Sequence, residues 1–103
     1  MKRAAAYVPV LLSFPPASAR QDAWGRLTRL TSGGAELSTA VRLVRDEGVR
    51  LSFELGGDRF EEIRARVADA VDDADGHRLV ELVFADEVQR RALAKALVDV
   101  LSR

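Results

Sequence analysis

Apolar and polar residues alternate most cleanly from Val49 to Leu55, where Val49, Leu51, Phe53 and Leu55 interleave with Arg50, Ser52 and Glu54. A period of two puts the four apolar side chains on one face, so this stretch predicts a half-buried β-strand. Gly56-Gly57-Asp58 follows as a hairpin turn. From Phe60 to Val71 the pattern has two readings. Glu61, Glu62, Arg64 and Arg66 could ride a helix, yet Ile63, Ala65, Val67 and Val71 share one parity and turn signals bracket the run. Strand is the expectation. Asp75-Gly76 marks another hairpin, and His77 to Ala85, rich in Leu and Val, predicts the next strand.

Upstream, Ala4 to Phe14 is long enough for a strand, with Tyr7, Val8, Val10 and Leu11 suited to it. Pro9 has no N–H to give a ladder, which assigns it to an edge or a bulge. Pro15-Pro16 stops the segment, and a polar loop runs from Ala17 to Asp22. Trp24 to Leu30 predicts a second strand, with Trp24 in core or rim packing, and Ala35 to Thr39 a short third. Between them, the polar residues and two glycines of Arg29 to Leu37 interrupt the apolar pattern. Glycine reaches φ > 0 without a Cβ clash, so Gly33-Gly34 predicts a sharp turn. Ala40 to Glu47 shows no clear period. Asp86 reads as a helix N-cap, with Gln89 completing a capping-box-like pair. Val88, Leu93, Ala96, Leu97, Val100 and Leu101 then form a stripe at helical spacing. Strands within residues 4–85 and a helix over about 86–102 predict a mainly β fold: a six-stranded antiparallel barrel with a C-terminal α-helix.

The length of 103 residues predicts one domain over 1–103. Sixteen basic residues balance sixteen acidic ones. Zero net charge supplies no general pull toward nucleic acid or an anionic membrane. No apolar run is long enough for a membrane span. Neither DNA or RNA binding nor membrane insertion is therefore expected. The chain has no cysteine, which excludes disulfides and thiolate chemistry and fits a cytoplasmic location. A competing pattern is present at the start. Met1-Lys2-Arg3, the apolar stretch and Ala17-Ser18-Ala19 have the outline of a signal peptide, which would leave a secreted small β-domain beginning near Arg20. Pro9 within the apolar stretch speaks against it.

Candidate chemistry is sparse. His77 is the only histidine and sits beside a turn, and no Ser lies in a G-x-S-x-G elbow. Asp72, Asp73 and Asp75 before Gly76 invite a calcium reading, but Val71 and Leu82 occupy the first and last ligand positions. Glu61 and Glu62 would face opposite sides of a strand and cannot pair. With no acid, base and nucleophile together, an enzyme is not expected. Thr31-Ser32-Gly33-Gly34 could cradle a phosphate through backbone N–H groups, although it lacks the P-loop spacing and lysine. Arg20, Arg26 and Arg29 flank it, and guanidinium groups bind phosphate bidentately. Arg26 and Arg29 are three apart, so they face opposite ways unless the backbone bends.

Four stretches, in order and spacing, resemble the PilZ domain family across nearly the whole chain. They are Lys2 to Val10, Leu30 to Leu37, Gly48 to Leu55 and Val80 to Asp86. The resemblance implies the same barrel with its C-terminal helix. PilZ domains commonly bind cyclic di-GMP through R-x-x-x-R before the first strand and D/N-x-S-x-x-G after the second. Carried over, those motifs place the ligand at Arg3, Tyr7, Arg29, Thr31 and Gly34. Arg3 is retained, but Tyr7 stands where the second arginine belongs. Arg29 replaces the acid or amide, Thr31 replaces the serine and keeps a hydroxyl, and Gly34 is retained. Arg29 offers donors but no acceptor. The sequence thus resembles more closely the divergent members that act through protein contacts, some linked to type IV pilus biogenesis. The implied function is a non-enzymatic adaptor in motility or surface-behaviour signalling, with a protein partner. The alternative is a cyclic di-GMP receptor with an altered site. The apolar helix stripe could also serve a homodimer.

Overall fold

The strongest alternation forms a strand that fixes one stave of a barrel: β4 (Gly48–Leu55) buries Val49, Leu51 and Phe53 and turns Arg50, Ser52 and Glu54 outward. The computed structural model describes residues 7–72 and 75–102. Its other elements are β1 (Val8–Ser13), a single 3-10 turn (Pro16–Ser18), β2 (Ala23–Leu30), β3 (Gly34–Thr39), β5 (Asp58–Asp72), β6 (Arg78–Phe84) and α1 (Glu87–Leu101). The strands close in the order β1-β2-β3-β6-β5-β4, with every neighbouring pair antiparallel. Among the described residues no helix is long and apolar enough to cross a membrane.

Inward side chains fill the barrel, with Val10, Leu12, Leu37, Leu51, Val67 and Val80 all at 0% exposure. Fully burying a side chain of this size contributes roughly 1.5–3 kcal/mol. The Phe53 and Phe60 rings stack at 5.7 Å near the β4–β5 hairpin, whose turn uses Gly56 and Gly57 at φ 60° and 91°. From the aperiodic segment before β4, Leu43 is fully buried and joins the core. Pro9 is accommodated because β4 pairs with β1 only from Leu11 to Ser13, leaving that side of Pro9 without a ladder. Of the apolar stretch beginning at Ala4, Val8–Ser13 is strand and Tyr7 is not, and the residues before Tyr7 lie outside the described ones. Cleavage after Ala19 would strip β1 from the barrel, and with it Val10, Leu12 and Phe14 from the core.

Three bulges correct the simple alternation. On β5, Val67 pairs with Leu82 and Asp69 with Glu81, so Ala68 is an extra residue and the parity inverts after it. Val71 is therefore 54% exposed, while Ala70 packs against the core. Earlier on β5, Leu51 pairs with Ile63 and Phe53 with Phe60, with Glu62 at φ 54°. Glu61 and Glu62 thus both end up exposed, rather than on opposite faces. They pair separately, with Arg59 and Arg50. On β2 the register shifts between Leu27 and Arg29.

The N-cap of α1 forms as expected, with Asp86 accepting from the Gln89 amide at 3.0 Å. The Gln89 side chain does not complete the box. It crosses to β5, accepting from the Arg64 amide at 2.8 Å and donating to the Glu62 carbonyl at 3.1 Å. The helix docks through Leu93 and Ala96, which are buried. Val88 and Leu101, counted in the apolar stripe, are 74% and 83% exposed.

Candidate functional site

The β2 bulge decides which way the arginines face. Arg26 and Arg29 both lie exposed on the outer wall, because the irregularity at Thr28 supplies the bend that a regular strand lacks. Thr28 donates its hydroxyl to the Glu36 carboxylate at 2.8 Å. Arg29 is the cross-strand neighbour of that Glu36, yet its guanidinium has no hydrogen bond or ion pair among the described residues. It overlooks a shallow depression of about 480 Å³ shared with Thr31, Gly34, Ala68, Glu81 and Val83.

The turn from Thr31 to Gly34 is held from within. The Thr31 hydroxyl accepts from the amides of Gly33 and Gly34 at 3.2 Å each and donates to the Gly34 carbonyl at 3.2 Å. The Thr31 amide donates to the Gly34 carbonyl at 2.9 Å, and the Gly33 carbonyl accepts from the Phe84 amide at 3.0 Å. The amides of Gly33 and Gly34 are thereby occupied by Thr31, so they do not form an open phosphate cradle. Neither glycine has a positive φ. This corrects the conformational reason expected for the pair. Gly34 is needed instead for close approach: a Cβ there would collide with the Leu82 carbonyl oxygen of β6. Gly33 is far less confined, since its Cβ would meet only the Arg90 guanidinium, at 3.9 Å.

The remaining motif positions separate. Tyr7 is 46% exposed, with the Arg26 guanidinium over its ring at 5.3 Å, a cation–π contact. Arg3 lies outside the described residues. Arg20 is engaged elsewhere: it pairs with Glu47 at 2.9 Å, donates to the Arg42 carbonyl and covers the Phe14 ring at 4.8 Å. His77 sits half-buried just before β6. Of the acidic turn, Asp72 pairs with Arg78 at 3.3 Å, while Asp73 falls outside the described residues. No group of three or more metal-ligating side chains forms among the described residues. Trp24, expected in core or rim packing, is instead 69% exposed on the outer wall. Its parity held that information, because Trp24 and Arg26 alternate against Gly25 and the buried Leu27. Ala68, Glu81 and Val83 join the depression only through the β3–β6–β5 register, for which no local signal exists.

A scan against protein-family models finds no match, and neither does a search of curated proteins. Solved structures do match. The Bacillus subtilis inhibitor of motility MotI/DgrA aligns over 100% of this chain and 53% of its own, with a TM-score of 0.71 and 16% identity. The PilZ domain of CeSA from a cellulose-synthesizing bacterium aligns over 100% of both chains, with a TM-score of 0.66 and 22% identity. MrkH of K. pneumonia aligns over 95% of this chain and 46% of its own, with a TM-score of 0.71 and 12% identity. The chain thus spans about half the length of MotI/DgrA and MrkH. A closed antiparallel barrel of six strands, a C-terminal helix on its wall and full-length superposition on the CeSA domain together identify the fold as PilZ-like.

Proposed function

We propose that this chain is a non-enzymatic bacterial signalling module, cytoplasmic, that acts by contact with a partner protein in the control of motility or surface behaviour. The observation that carries this is the internal closure of the Thr31–Gly34 turn. The hydroxyl and amides that a nucleotide loop would present are bonded to one another. The pairing of Tyr7 with Arg26 supports it, since an aromatic ring occupies the position of a phosphate-binding arginine. The fold likeness to a motility inhibitor and to a cellulose synthase domain supports the field of action.

A second reading, a cyclic di-GMP receptor with an altered site, is favoured by one feature: the open depression of about 480 Å³ with the unpaired Arg29 beside it. Titration calorimetry with cyclic di-GMP separates the two. The adaptor role expects no saturable heat in the micromolar range. Saturable micromolar binding that disappears in Arg29→Ala overturns it in favour of the receptor.

A further inference from the structure

The six strands close into a barrel whose outer wall faces solvent. One face has an internal symmetry of charge. Val10 and Leu12 of β1 are buried, so Pro9, Leu11 and Ser13 form its outward row, with Tyr7 just before it, and all four are uncharged. Beside Leu11 the register puts Trp24 on the β2 side and Ser52 on the β4 side. Pro9 has Arg26 on the β2 side; on the other side the β1–β4 ladder ends at Leu11–Ser52, and beyond it Pro9 and Glu54 line one depression. Ser13 has Arg50 on the β4 side. One residue beyond the Leu12–Ala23 pair, Asp22 lies on its β2 side. The flanking charges are therefore Arg26, which also covers the Tyr7 ring, against Glu54 in one row, and Asp22 against Arg50, which pairs with Glu62 in its own chain, in another; Arg59, on the Glu54 side, is held by Glu61.

From this arrangement we infer that the β1 face pairs with the same face of a second copy, about a twofold axis running along β1. Such an axis exchanges the β2 side of one copy with the β4 side of the other. Arg26 then meets the second copy's Glu54, Asp22 meets its Arg50, and Trp24 meets its Ser52. Residues on the axis meet themselves, which requires them to be uncharged, as Tyr7, Pro9 and Leu11 are. Trp24 projects from the wall at 69% exposure. A depression of about 310 Å³ lined by Pro9, Leu11, Ser52, Glu54 and Arg59 lies beside it. The twofold operation carries each Trp24 onto the Ser52 side of the other copy, bulk onto a small residue. A foreign partner imposes no inversion of sign across β1; a second copy does.

Sedimentation equilibrium on the 103-residue chain tests this. The wild type is expected to dimerise in the micromolar range. Arg26→Glu and Glu54→Arg each create two like-charge contacts in their own dimers and should weaken association by at least about tenfold. The double variant Arg26→Glu/Glu54→Arg restores both pairs. So does an equimolar mixture of the two single variants, which pair with each other better than with themselves. Both positions in the test are outward, and circular dichroism verifies that each variant is folded. The proposal is overturned by a wild type that stays monomeric through the micromolar range. It is overturned equally by single variants that dimerise as the wild type does, which would point to α1, or by a mixture that fails to recover the dimer.

Discussion

Replacing Gly34 by Ala adds one methyl group at the point where β3 runs into β6. Gly34 pairs with Val83, and the added Cβ would lie within 3.3 Å of the Leu82 carbonyl carbon and 3.5 Å of the Val83 Cα, with the Leu82 oxygen closer still. All three atoms are backbone, so no side-chain rotation relieves the overlap. The strands must part by on the order of 1 Å, since atoms gain no attraction inside contact distance. Overpacking of this kind costs about 1–3 kcal/mol. The same movement stretches the bond from the Phe84 amide to the Gly33 carbonyl, now 3.0 Å, and its loss adds about 1 kcal/mol. The expected destabilisation of Gly34→Ala is therefore about 2–4 kcal/mol. In a domain of this length that lowers the melting temperature by roughly 10–25 °C. Gly33→Ala is the control, because its Cβ meets only the mobile end of Arg90, and it should stay within about 0.5 kcal/mol of wild type. Urea and thermal unfolding followed by circular dichroism measure both. A Gly34→Ala variant as stable as wild type, or a Gly33→Ala variant equally damaged, would refute the close-approach explanation.

Two further outcomes follow from the hydrogen bonds around the site. Thr31→Val removes the oxygen that accepts from the Gly33 and Gly34 amides, and should cost about 1–2 kcal/mol in urea unfolding, whereas Thr31→Ser should stay near wild type; equal losses in the two variants would show that the hydroxyl does not hold the turn. Gln89→Ala cuts both side-chain bonds from α1 to β5, at about 1–2 kcal/mol, and amide exchange should quicken across α1 while the barrel strands keep their protection; unchanged exchange in α1 would mean that Leu93 and Ala96 dock the helix alone.

Much of the fold was legible because it is encoded locally. A period of two in Val49 to Leu55, the proline stop after Phe14, the glycine hairpins and the Asp86 cap each depend on a few neighbouring residues and on rules that hold for any chain. The element boundaries followed from these to within a few residues; the strand order, with β3 beside β6 and β1 beside β4, did not. The candidate turn was also legible as a turn, and its resemblance to a ligand loop as a resemblance. Its chemistry was not. Whether the Thr31 hydroxyl faces a ligand or its own backbone depends on how β3 seats against β6.

What only the tertiary structure decided is which way side chains point after each bulge. An extra residue such as Ala68 arises because two strands of a closed barrel must keep their partners while the wall curves, and no local pattern marks it. It exchanged Val71 for Ala70 at the core. The irregularities at Thr28 and Glu62 likewise left both Arg26 and Arg29, and both Glu61 and Glu62, exposed. Gly34 shows the same division: the sequence alone calls for glycine at a turn, through its conformational freedom. The barrel requires it for another reason, because the backbone of β6 passes where a side chain would begin. Local periodicity determined the staves of this protein; barrel closure determined which faces, and so which chemistry, they present.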